Sequence, residues 1–126
     1  MTSSIQEVVS LLRSAETPSR ALDQTVAQVL GWNAHITEEY DEVAGIIKRQ
    51  TIWTDPQGRE APRAPFYTSS LHTLYKLAAT LASRGGVSWE NGMGTAKLGE
   101  GPYIEAQTPE IALCIAILLE LDAQRC

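Results

Sequence analysis

The sequence predicts an α+β fold in which a small antiparallel sheet packs between helices, a helix–sheet–helix sandwich with an N-terminal αα-hairpin and an apolar C-terminal helix. Three observations carry that prediction. Apolar residues recur at helical spacing over the first thirty residues and again over residues 71–81. Short alternating segments separated by Asn-Gly and Gly-Pro turns follow between residues 87 and 107. Last comes IALCIAILLELDAQ, apolar nearly all round and so buried on more than one side. The order α-α-(α)-β-α-β-β-β-α partly segregates helices from strands, which favours an antiparallel sheet covered by helices. With 126 residues, 44% of them apolar and 20% charged, the chain can bury one core, and residues 1–126 read as a single domain.

Each element has its own signal. Ser4 and Glu7 have capping-box spacing, and Ile5, Val8, Val9 and Leu12 form one stripe, so helix one is expected from Ser4 to Ala15. Thr17 as N-cap and Pro18 in the first turn open helix two. Its apolar face is Leu22, Val26, Val29 and Leu30, and Gly31 is suited to its end. Between Trp32 and Arg49 the acids Glu38, Glu39, Asp41 and Glu42 read as a solvated helix face or an acidic loop. Gln50–Thr54 reads as a strand, Asp55-Pro56-Gln57-Gly58 as a turn, and Arg59–Pro65 as an irregular basic loop. Thr68 or Ser69 then caps helix three, whose face is Leu71, Leu74, Leu77, Ala78 and Leu81 and whose terminator is Arg84-Gly85-Gly86. Val87–Glu90, Thr95–Leu98 and Tyr103–Gln107 form a meander, with Gly92, Gly94 and Gly99 serving its hairpins. Thr108-Pro109-Glu110 starts the last helix.

Composition narrows the function. The net charge of −5 argues against a polymeric nucleic acid as partner, though not against a local basic pocket. Cys114 reads as a small buried hydrophobe and Cys126 as a frayed terminal thiol, which suits a cytoplasmic location. The N-terminus lacks the basic and apolar regions of a signal peptide. The run Ile111–Leu121 is too short to span a membrane, so no membrane partner is expected. It is either the centre of the fold or a subunit interface, and a homo-oligomer formed through it is expected.

No catalytic, cofactor or metal signature stands out. His35 and His72 have no cysteine at ligand spacing, and no nucleophile elbow surrounds Ser69 or Ser70. The acidic cluster lacks the loop pattern of a calcium site. The most suggestive stretch is PRAPFYTSSLHTL, residues 62–74. A helix N-terminus presents free N–H groups to an anion, and Thr68, Ser69 and Ser70 offer more hydroxyls than one cap needs. Arg59 and Arg63 lie just upstream, Phe66 and Tyr67 offer flat rings, and Trp53, Trp89 and Asn91 on or beside strands could complete a ligand site. The bland alternative is an ordinary capped helix with core aromatics.

Three segments taken together resemble a family of small phage and prophage proteins, the phage ABA-sandwich domain. They are PSRALDQTVAQVLGW (residues 18–32) with its Leu-Asp pair, PFYTSSLHTL (residues 65–74) with its Pro-x-Tyr-Thr-x-Ser-Leu helix entry, and TPEIALCIAILLE (residues 108–120) with its Ala-Leu-Cys-x-Ala helix. The Asp usual in that family after the helix-entry Leu is His72 here. The resemblance implies a helix–sheet–helix sandwich and transfers no functional residue. It also implies a phage accessory context, in which small oligomeric proteins capture nucleotide immune signals. The expected function is therefore non-catalytic capture of a small anionic ligand, such as a cyclic oligonucleotide or a cyclic ADP-ribose derivative, to counter host defence. The alternatives are a protein–protein module that inhibits a host protein or acts in virion assembly, and a small hydrolase using His72.

Overall fold

A computed structural model describes residues 4–124, so the expectation for Cys126 lies outside the described residues. Helix α1 (Ile5–Ser14) is capped by Ser4, whose hydroxyl accepts from the Glu7 N–H at 3.2 Å, and it buries Ile5, Val8, Val9 and Leu12. Helix α2 (Arg20–Val29) begins two residues later than expected. Ser19, not Thr17, is its N-cap, because the Ser19 hydroxyl accepts from Leu22 N–H at 3.1 Å. Gly31 ends α2 at φ +101°, and Trp32 N–H closes the turn onto the Ala27 carbonyl at 3.0 Å. The two helices pack together as the expected hairpin.

The largest departure lies between residues 32 and 49, where β1 (Asn33–Asp41) and the first part of β2 (Ile46–Thr54) replace the expected helix or loop, while the strand expected at Gln50–Thr54 is the second part of β2. β1 pairs antiparallel with β2 in unbroken register, from Asn33↔Thr54 to Asp41↔Ile46. The turn is built by Asp41, whose carboxylate accepts from Val43 and Ala44 N–H, and by Gly45 at φ +69°. Acids of one strand face bases of the other: Glu38 opposes and ion-pairs Arg49 at 3.0 Å, and Glu39 opposes Lys48. The four clustered acids are thus spread over a strand and a turn, with Glu38 on the opposite face from Glu39 and Asp41. A two-residue strand, β3 (Glu60–Ala61), pairs with Trp53 and Thr54 inside the segment read as irregular.

Helix α3 (Leu71–Leu81) is capped by Ser70, not by Thr68 or Ser69: the Ser70 hydroxyl accepts from Thr73 N–H at 3.2 Å. Gly85 and Gly86 do not terminate it but begin β4 (Gly85–Glu90). β4 pairs with β5 (Met93–Leu98) through the expected Asn91-Gly92 turn, where both residues have positive φ, and β5 pairs with β6 (Ile104–Ala106). The antiparallel strands are therefore divided between two three-stranded sheets, β1-β2-β3 and β4-β5-β6.

Helix α4 (Pro109–Gln124) occupies the centre, and every residue from Ile111 to Leu118 is buried. It packs against α1 and α3 and against the inner face of the second sheet, where Ala96, Leu98, Ile104 and Ala106 point inward. The apolar run is consumed by the chain's own core, so it is not the surface for a second copy. Gly94 does not serve a hairpin turn: a Cβ there would lie 2.2 Å from Pro109 N, so its bare backbone lets α4 start against β5. Among the described residues no helix is long and apolar enough to cross a membrane.

Candidate ligand-binding site

The structure resolves what the Phe66–Ser70 hydroxyls do. Thr68 is fully buried, and both its hydroxyl (2.6 Å) and its N–H (2.7 Å) donate to Asp23 Oδ1, itself buried on α2. Ser19 N–H donates to the Thr68 hydroxyl at 3.2 Å. Asp23 Oδ2 takes Arg20 Nη1 at 2.6 Å, so the buried carboxylate has a cation and two donors. Ser70 caps α3, and only Ser69 leaves its side chain exposed. The hydroxyl run therefore fastens the entry of α3 to the start of α2. The helix end it was expected to open to an anion is already occupied by Ser70.

Tyr67 is likewise a core residue. Its hydroxyl accepts from Trp32 Nε1 at 3.1 Å, and burial, against the opposing effect of that hydrogen bond, raises its pKa above the usual phenol value. Phe66 is partly exposed, and its ring carries the Arg20 guanidinium at 4.1 Å and the Arg63 guanidinium at 5.8 Å. Its face is therefore taken by arginines rather than open to a base. Arg20 is further held by Nη2 donating to the Ala64 carbonyl at 2.6 Å.

These arginines border a groove of about 700 Å³ between α2 and the base of the β1–β2 hairpin. Arg20, Gln24 and Gln28 line it from α2, Trp53 from β2, and Arg63 from the following loop. No aspartate or glutamate lines it. Trp53, only 4% exposed, contributes to the core as much as to the groove. Sequence reading missed Arg20, Gln24 and Gln28, although their i, i+4, i+8 spacing marks one polar face of α2.

The remaining expected residues lie elsewhere. Arg59 is engaged by Asp55 at 2.8 Å. The Arg59 N–H first, with the Arg59 side chain and Gln57 N–H, holds the Asp55 carboxyl below the usual carboxylate range. Trp89 and Asn91 sit at the β4–β5 turn and line a separate shallow depression with Glu90 and Glu105. The ten expected residues thus do not form one site: Trp53, Arg63 and Phe66 gather near the groove, and Trp89 and Asn91 do not join them. His72 is exposed in the first turn of α3. Among the described residues, no three His, Cys, Asp or Glu side chains are grouped so as to hold a metal ion.

In comparisons with known proteins, no family model, no curated protein and no solved structure matches this chain.

Proposed function

We propose that this protein is a non-catalytic binding protein that captures a small anionic ligand in the groove between α2 and the hairpin base. One observation carries the reading: in a chain of net charge −5, this groove is bordered by two arginines and by no carboxylate. Arg63 has no acidic partner among the described residues. Arg20 uses two of its five donors internally, which orients the others. Planar guanidiniums suit phosphate oxygens, Gln24 and Gln28 can read neutral polar edges, and the volume suits a nucleotide-sized molecule. The resemblance to the phage ABA-sandwich domain suits a phage accessory protein that withdraws a nucleotide immune signal from its host.

Thermal-shift and calorimetric titrations with cyclic di- and trinucleotides and with cyclic ADP-ribose isomers test this. Ligand at about 100 times Kd should stabilise the fold by about 2.7 kcal/mol. Arg63→Glu should weaken binding at least about tenfold, as loss of a charge-assisted contact implies, while Ser69→Ala leaves it unchanged. No shift with any of these compounds would sink the reading.

A further inference from the structure

β1 is the edge of its sheet, and Asn33–Tyr40 are exposed throughout. Its nine residues run in register with β2 without a bulge, and the strand holds neither proline nor lysine. Those are devices that usually blunt an edge. Ile36 (67% exposed) and Tyr40 (62% exposed) share one face with Ile47 of β2, so the hairpin also presents apolar surface. A long, regular, partly apolar edge is a template for another strand.

We propose that β1 pairs antiparallel with β1 of a second copy of this chain, about a two-fold axis at Thr37. The strand edge adjoins the groove, which Ala34, His35 and Ile36 of β1 also line, so the oligomeric state is measured without added ligand. Directly opposed residues in a sheet must point to one face, so the axis passes through a residue. With Thr37 on the axis, Thr37 faces Thr37, His35 faces Glu39 and Asn33 faces Asp41 of the second copy. Two imidazole–carboxylate pairs form and no like charges oppose one another. An axis at Glu38 would set two carboxylates face to face, and one at Ile36 would forgo both His35–Glu39 pairs. In the Thr37 register, Ile36 lies diagonal to Ile36 and Tyr40 of the second copy, which continues the apolar face across the joint. Glu38, then beside Ile36 of the second copy, keeps its ion pair with Arg49. Such self-complementarity is what an isologous dimer needs, and it favours a second copy over a foreign strand.

Light scattering on a sizing column at about 100 μM, above the micromolar range of weak interfaces, should give about twice the 13.7 kDa chain mass. Thr37→Lys puts two ammonium groups on the axis and should return the 13.7 kDa monomer with an unchanged far-ultraviolet dichroism spectrum. In a Cys126→Ser background, Thr37→Cys should crosslink under mild oxidation faster than Asn33→Cys. A monomeric wild type overturns the proposal and leaves the edge to a foreign strand. A dimer that survives Thr37→Lys, or faster crosslinking at position 33, overturns it equally.

Discussion

Asp23 and Thr68 lie 45 positions apart, yet one oxygen of the first receives both donors of the second at 2.6 and 2.7 Å. The Leu22-Asp23 and Tyr67-Thr68 pairs are thus two halves of a single buried contact. Each half was legible in the sequence, but the contact was not, because a local reading supplies caps and turns and no long-range partner. Thr68 looked like a free hydroxyl for the same reason. Asp23→Ala should destabilise by about 3 kcal/mol, since it strands the buried Thr68 N–H, leaves the Thr68 hydroxyl only the Ser19 carbonyl as acceptor and frees Arg20 from its partner. Thr68→Val, which keeps the shape and the N–H, should cost about 1–2 kcal/mol. Urea denaturation ranks the two variants, and the reverse order would refute this account.

The helices and the second sheet followed from patterns that an isolated segment can carry: stripes at 3.6 spacing, an Asn-Gly turn, a Thr-Pro helix start. Beyond the strand read at Gln50–Thr54, the β1–β2 hairpin escaped because neither strand buries a face over most of its length, so no apolar alternation betrays it. Its trace is fainter, a mirror of acids and bases around Asp41–Gly45 that becomes visible only when the two strands are folded against each other. The same geometry divides β2 into an arm and an anchor. Ile47 is more than half exposed, whereas Trp53, six residues along, is buried in the core. Ile47→Ser should therefore change stability by no more than about 0.5 kcal/mol, as surface substitutions do. Trp53→Ala should cost about 3–5 kcal/mol through the cavity it leaves. Equal losses in chemical denaturation would show that the arm packs more closely than its exposure indicates. The candidate groove was half legible: Trp53, Arg63 and Phe66 were singled out, while its α2 wall required the hairpin to be in place.

At the scale of the whole molecule, α4 ties the layers together and gives stability a pH dependence. Burial, reinforced by the negative charge of Asp23, pushes the Cys114 thiol from its ordinary 9.0 up to about 12. In the unfolded chain the thiol ionises near 9, while in the fold it stays protonated, so the folded state binds more protons between those values. The associated stability is complete below pH 9 and is lost as pH rises toward 12, at roughly 1 kcal/mol per pH unit. Tyr67, also raised by burial, adds a loss of the same sign above pH 10. Denaturation at about pH 8 and about pH 10.5 should show the decline, and Cys114→Ala should make it shallower. Identical slopes would refute the assignment. The central place of α4 also bears on how the chain is made. Among the described elements it follows all the others in the chain, yet α1, α3 and β5 each keep their apolar side for it. Until residues 109–124 emerge from the ribosome, those sides have nothing to close on. The elements that precede α4 must then emerge with their apolar sides open to chaperones and to aggregation.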